Sequence, residues 1–125
     1  MGLAEAGADI AVADIHGEWA EETAKDVRAL GKKALAIKAD VSKKSDVTSM
    51  IDKIMSEWSR LDIAINNAGI TEVIDAVDIE EKNWDSIMDV NLRGVFLCTQ
   101  AEGRVMIPKK YDKIIKVHQD FKHIF

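Results

Sequence analysis

The sequence has little of what marks several specialised classes of protein. Its one cysteine, Cys98, makes an internal disulfide impossible, and no second cysteine or nearby histidine gives it the spacing of a metal site. We therefore predict that Cys98 is a small apolar residue on a helix and that the chain holds no metal. No apolar run approaches the roughly 18 residues that cross a bilayer, and the N-terminus has no basic segment ahead of an apolar one. These absences predict a cytosolic protein without a membrane partner.

Positive charge is also scarce. The chain has 17 lysines and arginines against 22 aspartates and glutamates, a formal net charge of -5, and the basic residues are scattered among acidic ones. Because a basic stripe is needed to bind a phosphate backbone, we do not expect nucleic acid as a partner. The 125 residues, 47% hydrophobic and 31% charged, suffice for one domain with a core and argue against disorder.

Apolar residues follow strand spacing and helix spacing in alternation. Short apolar runs predict four strands, at residues 9–14, 34–38, 62–65 and 113–117. Helical spacing predicts helices at 18–30, at 47–58, and from a capping box at Asp78 and Glu81 as far as Pro108. Strands that alternate with helices predict an α/β domain with a parallel sheet. In such sheets ligands bind beyond the carboxyl ends of the strands.

Burial follows from the same patterns. The run at 9–14 suits a strand that is buried on both faces. The clearest helical period in the chain predicts that one face of the helix at 47–58 is core: Val47, Met50, Ile51, Ile54, Met55 and Trp58. In the helix before it, Trp19, Thr23, Val27 and Leu30 recur at helical spacing. Gly31 follows this helix at the place of a left-handed cap. The last helix carries a second stripe: Trp84, Ile87, Met88, Leu92, Val95 and Phe96.

Asp14 closes the first predicted strand. An acid at this place in a dinucleotide-binding fold hydrogen-bonds the hydroxyls of the adenosine ribose, and it would repel a 2′-phosphate. Residues 15–17 contain no lysine or arginine that would offset the repulsion, so NAD(H) is favoured over NADP(H). An aspartate at a strand end is also a common turn or capping residue, and this second interpretation stays open.

Two further sites stand out after the third strand. Asn67-Ala68-Gly69 offers a small side chain, a glycine and backbone amides that a flat ligand could approach closely, although a turn without function would have the same residues. Asn91 falls on the apolar stripe of the last helix, where an amide without partners would cost about 1–3 kcal/mol. It is either a structural link across the core or part of an active site.

These segments together resemble the short-chain dehydrogenase/reductase family. The resemblance rests on five segments: Leu3-Ala4-Glu5-Ala6-Gly7-Ala8, Asp14, Ala39-Asp40-Val41, residues 61–70 (LDIAINNAGI), and residues 90–96 (VNLRGVF). Their order and spacing agree with the family from Leu3 to about Ile115. The combination of these motifs is far more specific than any one of them.

The resemblance implies a doubly wound, Rossmann-like parallel sheet with flanking helices, binding of NAD(P), and hydride transfer between nicotinamide and a small alcohol or ketone. It assigns the adenosine ribose to Asp14 and the adenine to Asp40 and Val41. It also implies that Asn67, Ala68 and Gly69 contact the cofactor's ribose and lie at the middle of the sheet. Asn91 matches the family's asparagine, whose helix kink holds a water in the proton relay, and would be the one catalytic residue in this chain.

The first departure from the family lies at the N-terminus. The family opens with a strand and a glycine-rich turn whose amides bind the pyrophosphate. Here Met1 falls within the helix that follows that turn, so we expect a partial sheet whose first strand is absent. That strand is central in the family, and without it two interior sheet edges would be unpaired.

The second departure begins at Lys116. By the same alignment Gln119 takes the place of the catalytic serine, and Tyr111 has Ile115 rather than a lysine four residues on. We therefore divide the chain into a Rossmann-like dinucleotide-binding segment, 1–115, and a divergent tail, 116–125. A frame change, a mis-joined reading frame or a sequence that does not represent the whole gene product would explain the tail.

Three hypotheses about function follow. In the first, the chain is part of an NAD(H)-dependent oxidoreductase and is inactive alone, because it lacks the serine, tyrosine and lysine of the family. In the second, it is a truncated, non-catalytic relative that acts as a binding or oligomerisation module. The Leu92–Met106 helix packs against a partner subunit in the family and would form a homo-oligomer here. In the third, the chain is marginally folded and has no function.

Overall fold

The structure, a computed structural model, describes residues 2–110 and 113–117. In chain order it contains α1 (Gly2–Glu5), β1 (Ile10–Asp14), α2 (Gly17–Ala29), β2 (Ala34–Lys38), α3 (Lys44–Trp58), β3 (Ile63–Asn66), α4 (Glu81–Met88), a π-helical segment (Asp89–Gly94), α5 (Val95–Met106), a 3-10 turn (Ile107–Lys109) and β4 (Lys113–Lys116). The described residues divide into two compact units. The first unit comprises 2–40 with 45–59, and the second comprises 41–44 with 60–110 and 113–117.

The first unit is built on a parallel pair of strands. β1 and β2 pair in register from Ile10 opposite Ala34 to Asp14 opposite Lys38. Helix α2 packs on this pair and buries small side chains, Ala20 and Ala24. Gly31 follows α2 with a φ of +75° and donates its amide to a carbonyl of the last turn, as the predicted left-handed cap requires.

The second unit has the same plan. β3 and β4 pair in parallel, with Ile63 opposite Lys113 and Asn66 opposite Lys116. Helix α5 packs against β3 and buries Met106 completely. Because Pro108 lacks an amide hydrogen, the helix ends just before it and continues only as a short 3-10 turn.

All four predicted strands are present, within a residue or so of their expected ends. Their predicted burial is wrong for β1: it has no fully buried residue, and Ala13 is exposed. In β3, Ile65 is 46% exposed. Each described sheet has only two strands, so both β1 and β3 keep one unpaired edge and a correspondingly accessible surface.

The face of α3 that was predicted to be core is confirmed, because Val47, Met50, Ile51 and Ile54 are buried. On α2 the buried residues are Ala20, Ala24 and Val27, whereas Trp19 is 57% exposed. A helix whose alanines face a sheet can approach the sheet more closely than a helix whose tryptophan faces it. This explains why the alanine face of α2 is buried and Trp19 is not. The capping box is absent: the last helix begins at Glu81 rather than Asp78, and no side chain caps it.

Candidate functional site

Asp14 lies at the carboxyl end of β1, where the sequence places it. Its Oδ1 accepts a hydrogen bond of 2.7 Å from the backbone amide of His16, and this bond closes a tight turn between β1 and α2. Its Oδ2 makes no hydrogen bond within the part of the chain that the structure describes. The backbone carbonyl of Asp14 accepts from the amide of Ala39 at 2.9 Å, which ties the ends of β1 and β2 together. The turn interpretation is therefore correct for one oxygen, and the other remains accessible to a ligand.

A lysine that the sequence reasoning did not consider stands beside Asp14. Lys38 is its partner in the register of β1 and β2. Residues 15–17, which follow Asp14 in sequence, contain no lysine or arginine, whereas Lys38 is its neighbour through strand pairing. A prediction of the register between β1 and β2 would have found Lys38, because Asp14 and Lys38 are the last residues of these two strands.

The two residues assigned to adenine lie in different units. Asp40, in the first unit, donates its backbone amide to Oδ2 of Asp46 at 3.0 Å. Val41, in the second unit, packs so closely on Gly94 that an added Cβ there would lie 2.8 Å from Cγ2 of the valine. Glycine is therefore the one residue type that fits at position 94 unless the neighbouring groups move.

The segment after β3 starts from a part-buried hydrogen bond. Asn66, the last residue of β3, donates Nδ2 to Oε2 of Glu102 on α5 at 3.0 Å and lies 3.4 Å from Oγ1 of Thr99. Asn67 and Ala68 are exposed. Sequence analysis missed Glu102, whose signal is an acid among the buried positions of an apolar helix. The carboxyl is 4% exposed, and burial raises its pKa, an effect that the hydrogen bond from Asn66 partly opposes.

Asn91 holds the loop that follows Gly69. Its Nδ2 donates to the carbonyl of Ile70 at 2.8 Å, and its Oδ1 accepts from the amide of the same residue at 2.9 Å. The side chain is thus a structural link between the helix and the loop. Asn91 also lies in the π-helical segment Asp89–Gly94, where the resemblance implies a kink. Such segments occur often at functional sites because they displace the backbone from the regular helix.

An open pocket of about 440 Å³ lies next to this loop in the second unit. Five of its seven lining residues have polar or charged side chains, and the seven are Ile70, Thr71, Glu72, Lys82, Asn83, Ser86 and Ile87. Ser86 donates to the carbonyl of Lys82, and Asn83 donates to the carboxylate of Glu72. The pocket and Asn91 therefore share Ile70.

Cys98 is buried on α5, as predicted. Burial, followed by the nearby charge of Glu102, raises the pKa of its thiol to about 11, which makes it unreactive at neutral pH. Across residues 2–110 and 113–117 no group of three or more histidine, cysteine, aspartate or glutamate side chains could hold a metal ion. Among these residues there is also no helix that is both long and apolar enough to span a membrane.

Two predictions concern residues outside the described ranges: that Gln119 replaces the family's serine, and that Tyr111 is not the catalytic tyrosine. Within them, Asp14 and Asp40 both lie in the first unit. Four of the other predicted residues, Asn67, Ala68, Gly69 and Asn91, lie in the second unit with Val41.

Comparison with known proteins identifies the family. The family model described as short chain dehydrogenase matches residues 1–119. The chain therefore belongs to the short-chain dehydrogenase family, as its motifs predict, and its relatives are oxidoreductases.

Individual relatives agree with this assignment. A 2-dehydro-3-deoxy-D-gluconate 5-dehydrogenase of Dickeya dadantii (strain 3937) is 38% identical over 118 residues, which are 94% of this chain and 46% of the relative. A short-chain type dehydrogenase/reductase from Mycobacterium marinum superposes with a TM-score of 0.86 at 38% identity, over 90% of this chain and 45% of the other. NAD+-bound xylitol dehydrogenase superposes with a TM-score of 0.88 at 28% identity, over 91% and 44%.

These likenesses confirm the predicted fold class, a partial Rossmann-like α/β fold. The chain spans about half the length of the curated relatives that it matches. At least one structural relative binds a nicotinamide cofactor, since its structure contains NAD+.

Proposed function

We propose that this chain is part of an NAD(H)-dependent short-chain dehydrogenase/reductase that interconverts a small alcohol and a ketone. The observation that carries the proposal is the carboxylate of Asp14, which lies at the end of a parallel strand with Oδ2 open to a ligand. Ligands of this fold bind at the carboxyl ends of the strands. Family membership and the NAD+ in the xylitol dehydrogenase support the choice of cofactor.

The residues present fit the adenosine half of a dinucleotide. Asp14 accepts hydrogen bonds from the ribose hydroxyls, and its charge disfavours a 2′-phosphate, so that NAD(H) is preferred over NADP(H). The family resemblance assigns the adenine to Asp40 and Val41. When bound, the nicotinamide supplies the hydride chemistry, and this chain contributes binding and orientation.

The second unit supplies the loop toward the reacting groups. Asn67, Ala68 and Gly69 lie against the cofactor's ribose, where two small residues admit a flat ligand. Asn91 fixes Ile70 through its side chain. The π-helical segment around it supports the role that the resemblance implies, in which the helix kink holds a water of the proton relay. Of the predicted residues, Asn91 alone takes a catalytic role.

The 125 residues by themselves bind without turnover. They contain no Tyr-x-x-x-Lys pair to act as acid and base, because Tyr111 is followed by Ile115 at the fourth position. They also contain no glycine-rich turn for the pyrophosphate. The division into a dinucleotide-binding segment, 1–115, and a tail, 116–125, stays a prediction, as does a cytosolic location.

Calorimetric titration of the purified chain with 5′-AMP and with NADH tests this proposal. We expect both to bind with similar affinity, because the adenosine half makes the contacts. Asp14→Asn should weaken both about 10-fold, since it removes a charge-assisted hydrogen bond. The matched control is Asp26→Asn, which changes an exposed aspartate of α2 and should have no effect. Failure of both nucleotides to bind, or NADH-dependent turnover at a normal enzymatic rate, would contradict the proposal.

A second candidate function is oligomerisation through the Leu92–Met106 helix. Leu92 and Phe96 lie one helical turn apart and are 58% and 60% exposed. Apolar side chains of this size on one helix face suit a helix of a second copy. Light scattering should give a homo-oligomer that Phe96→Asp dissociates, and a monomer at all concentrations would contradict it.

A further inference from the structure

The carboxyl end of the first unit's sheet holds a pair of opposite charges. Asp14 and Lys38 are register partners in the parallel pair of β1 and β2. Adjacent strands lie about 4.8 Å apart, and partners in register project from the same face of a sheet. The side chain of Lys38 therefore starts from the strand position next to the residue that we assign to the adenosine ribose.

The stem of Lys38 has a defined course. An added Cβ at Gly17 would lie 3.4, 3.6 and 3.8 Å from Cβ, Cδ and Cγ of Lys38. The aliphatic chain thus runs along the first residue of α2, beside the turn that Asp14 closes on His16. Lys38 is exposed, and within the described part of the chain its ammonium has no carboxylate within 4 Å. It is therefore available to an anion at the ribose.

We propose that Lys38 is a specificity-determining residue, which offsets the repulsion between Asp14 and a 2′-phosphate and so reduces the preference for NAD(H) over NADP(H). The inference rests on the proposed function, because it requires adenosine to bind beside Asp14. The physical reason is charge balance: a 2′-phosphate at the ribose would meet a positive group as well as a negative one. Asp14 alone would repel it.

Two nucleotides that differ only at the 2′ position test the proposal. Adenosine 2′,5′-bisphosphate carries the 2′-phosphate and 5′-AMP does not, so the ratio of their dissociation constants isolates the contribution of that group. The test variant is Lys38→Met, which keeps the aliphatic stem on Gly17 and removes the charge. Lys33→Met is the matched control. Lys33 is exposed and immediately precedes the other end of β2, about 16 Å away, beyond the Debye length of about 10 Å.

Lys38→Met should weaken binding of the bisphosphate about 3- to 10-fold and leave 5′-AMP unchanged, whereas Lys33→Met should change neither. The difference should shrink as salt is raised from about 0.05 to 0.5 M, because exposed charges are screened. An unchanged ratio in Lys38→Met would overturn the inference and leave the proposed function standing. Failure of the unmodified chain to bind either nucleotide would overturn both.

Discussion

The buried carboxyl of Glu102 should make the stability of the second unit depend on pH. Burial is the larger influence on this group and raises its pKa above the ordinary value of 4.5, while the hydrogen bond from Asn66 acts in the opposite direction. A carboxyl whose pKa is raised by folding contributes its full stability below the unfolded pKa and loses it as the pH rises through the folded value. The contribution of Glu102 to stability should therefore fall from about pH 4.5 upward, until its carboxyl is ionised.

Glu102→Gln removes the titration and keeps an oxygen that accepts from Asn66. It should be close to neutral at about pH 4.5 and increasingly more stable than the unmodified chain toward about pH 8. Glu102→Leu removes the acceptor too, so that Nδ2 of Asn66 retains only the 3.4 Å contact with Thr99. Leaving a part-buried amide in that state costs about 1–3 kcal/mol. At about 4 °C per kcal/mol for a chain of this length, the melting temperature should fall by about 4–12 °C.

Thermal unfolding by circular dichroism, measured for each variant between about pH 4.5 and pH 8, gives the required melting temperatures. The exposed Glu57 of α3 offers a control, because Glu57→Gln should follow the unmodified chain at every pH. The reasoning would be refuted by a constant difference in melting temperature between Glu102→Gln and the unmodified chain. A Glu102→Leu variant as stable as the unmodified chain would show that the bond to Asn66 contributes nothing.

Four other residues give direct predictions. Gly94→Ala should destabilise the chain by about 1–3 kcal/mol in thermal melts, since its Cβ would lie 2.8 Å from Val41. Gly103→Ala, with no neighbour nearer than 3.8 Å, should stabilise it by about 0.5–1 kcal/mol; an equal effect of both would contradict this. Asn91→Ala should cost about 1–2 kcal/mol and speed hydrogen exchange in the loop that it holds, and unchanged exchange would refute the link. Cys98 should resist alkylation at about pH 8 until the chain unfolds, whereas rapid labelling of the folded chain would exclude its burial.

Much of the fold could be predicted because its signals are local. A strand of five residues and a helix that ends at a glycine or a proline are specified by neighbours along the chain, and the structure contains both where expected. Which face of a helix is buried depends on another element. Trp19 and Ala20 are adjacent in sequence, yet the sheet accepts the small alanine and leaves the indole to solvent. Spacing alone does not distinguish these two faces.

The candidate site divides in the same way. The sequence by itself determined the family, the strand-end position of Asp14 and the anomaly of an amide at Asn91, because motifs and spacing are properties of the linear chain. Only the tertiary structure decided that Lys38 stands beside Asp14 and that Glu102 receives the amide of Asn66. The first pair is 24 residues apart and the second 36, and their proximity comes from strand register and from the packing of a helix on a sheet. Such distances are set by long-range packing, which sequence separation does not encode.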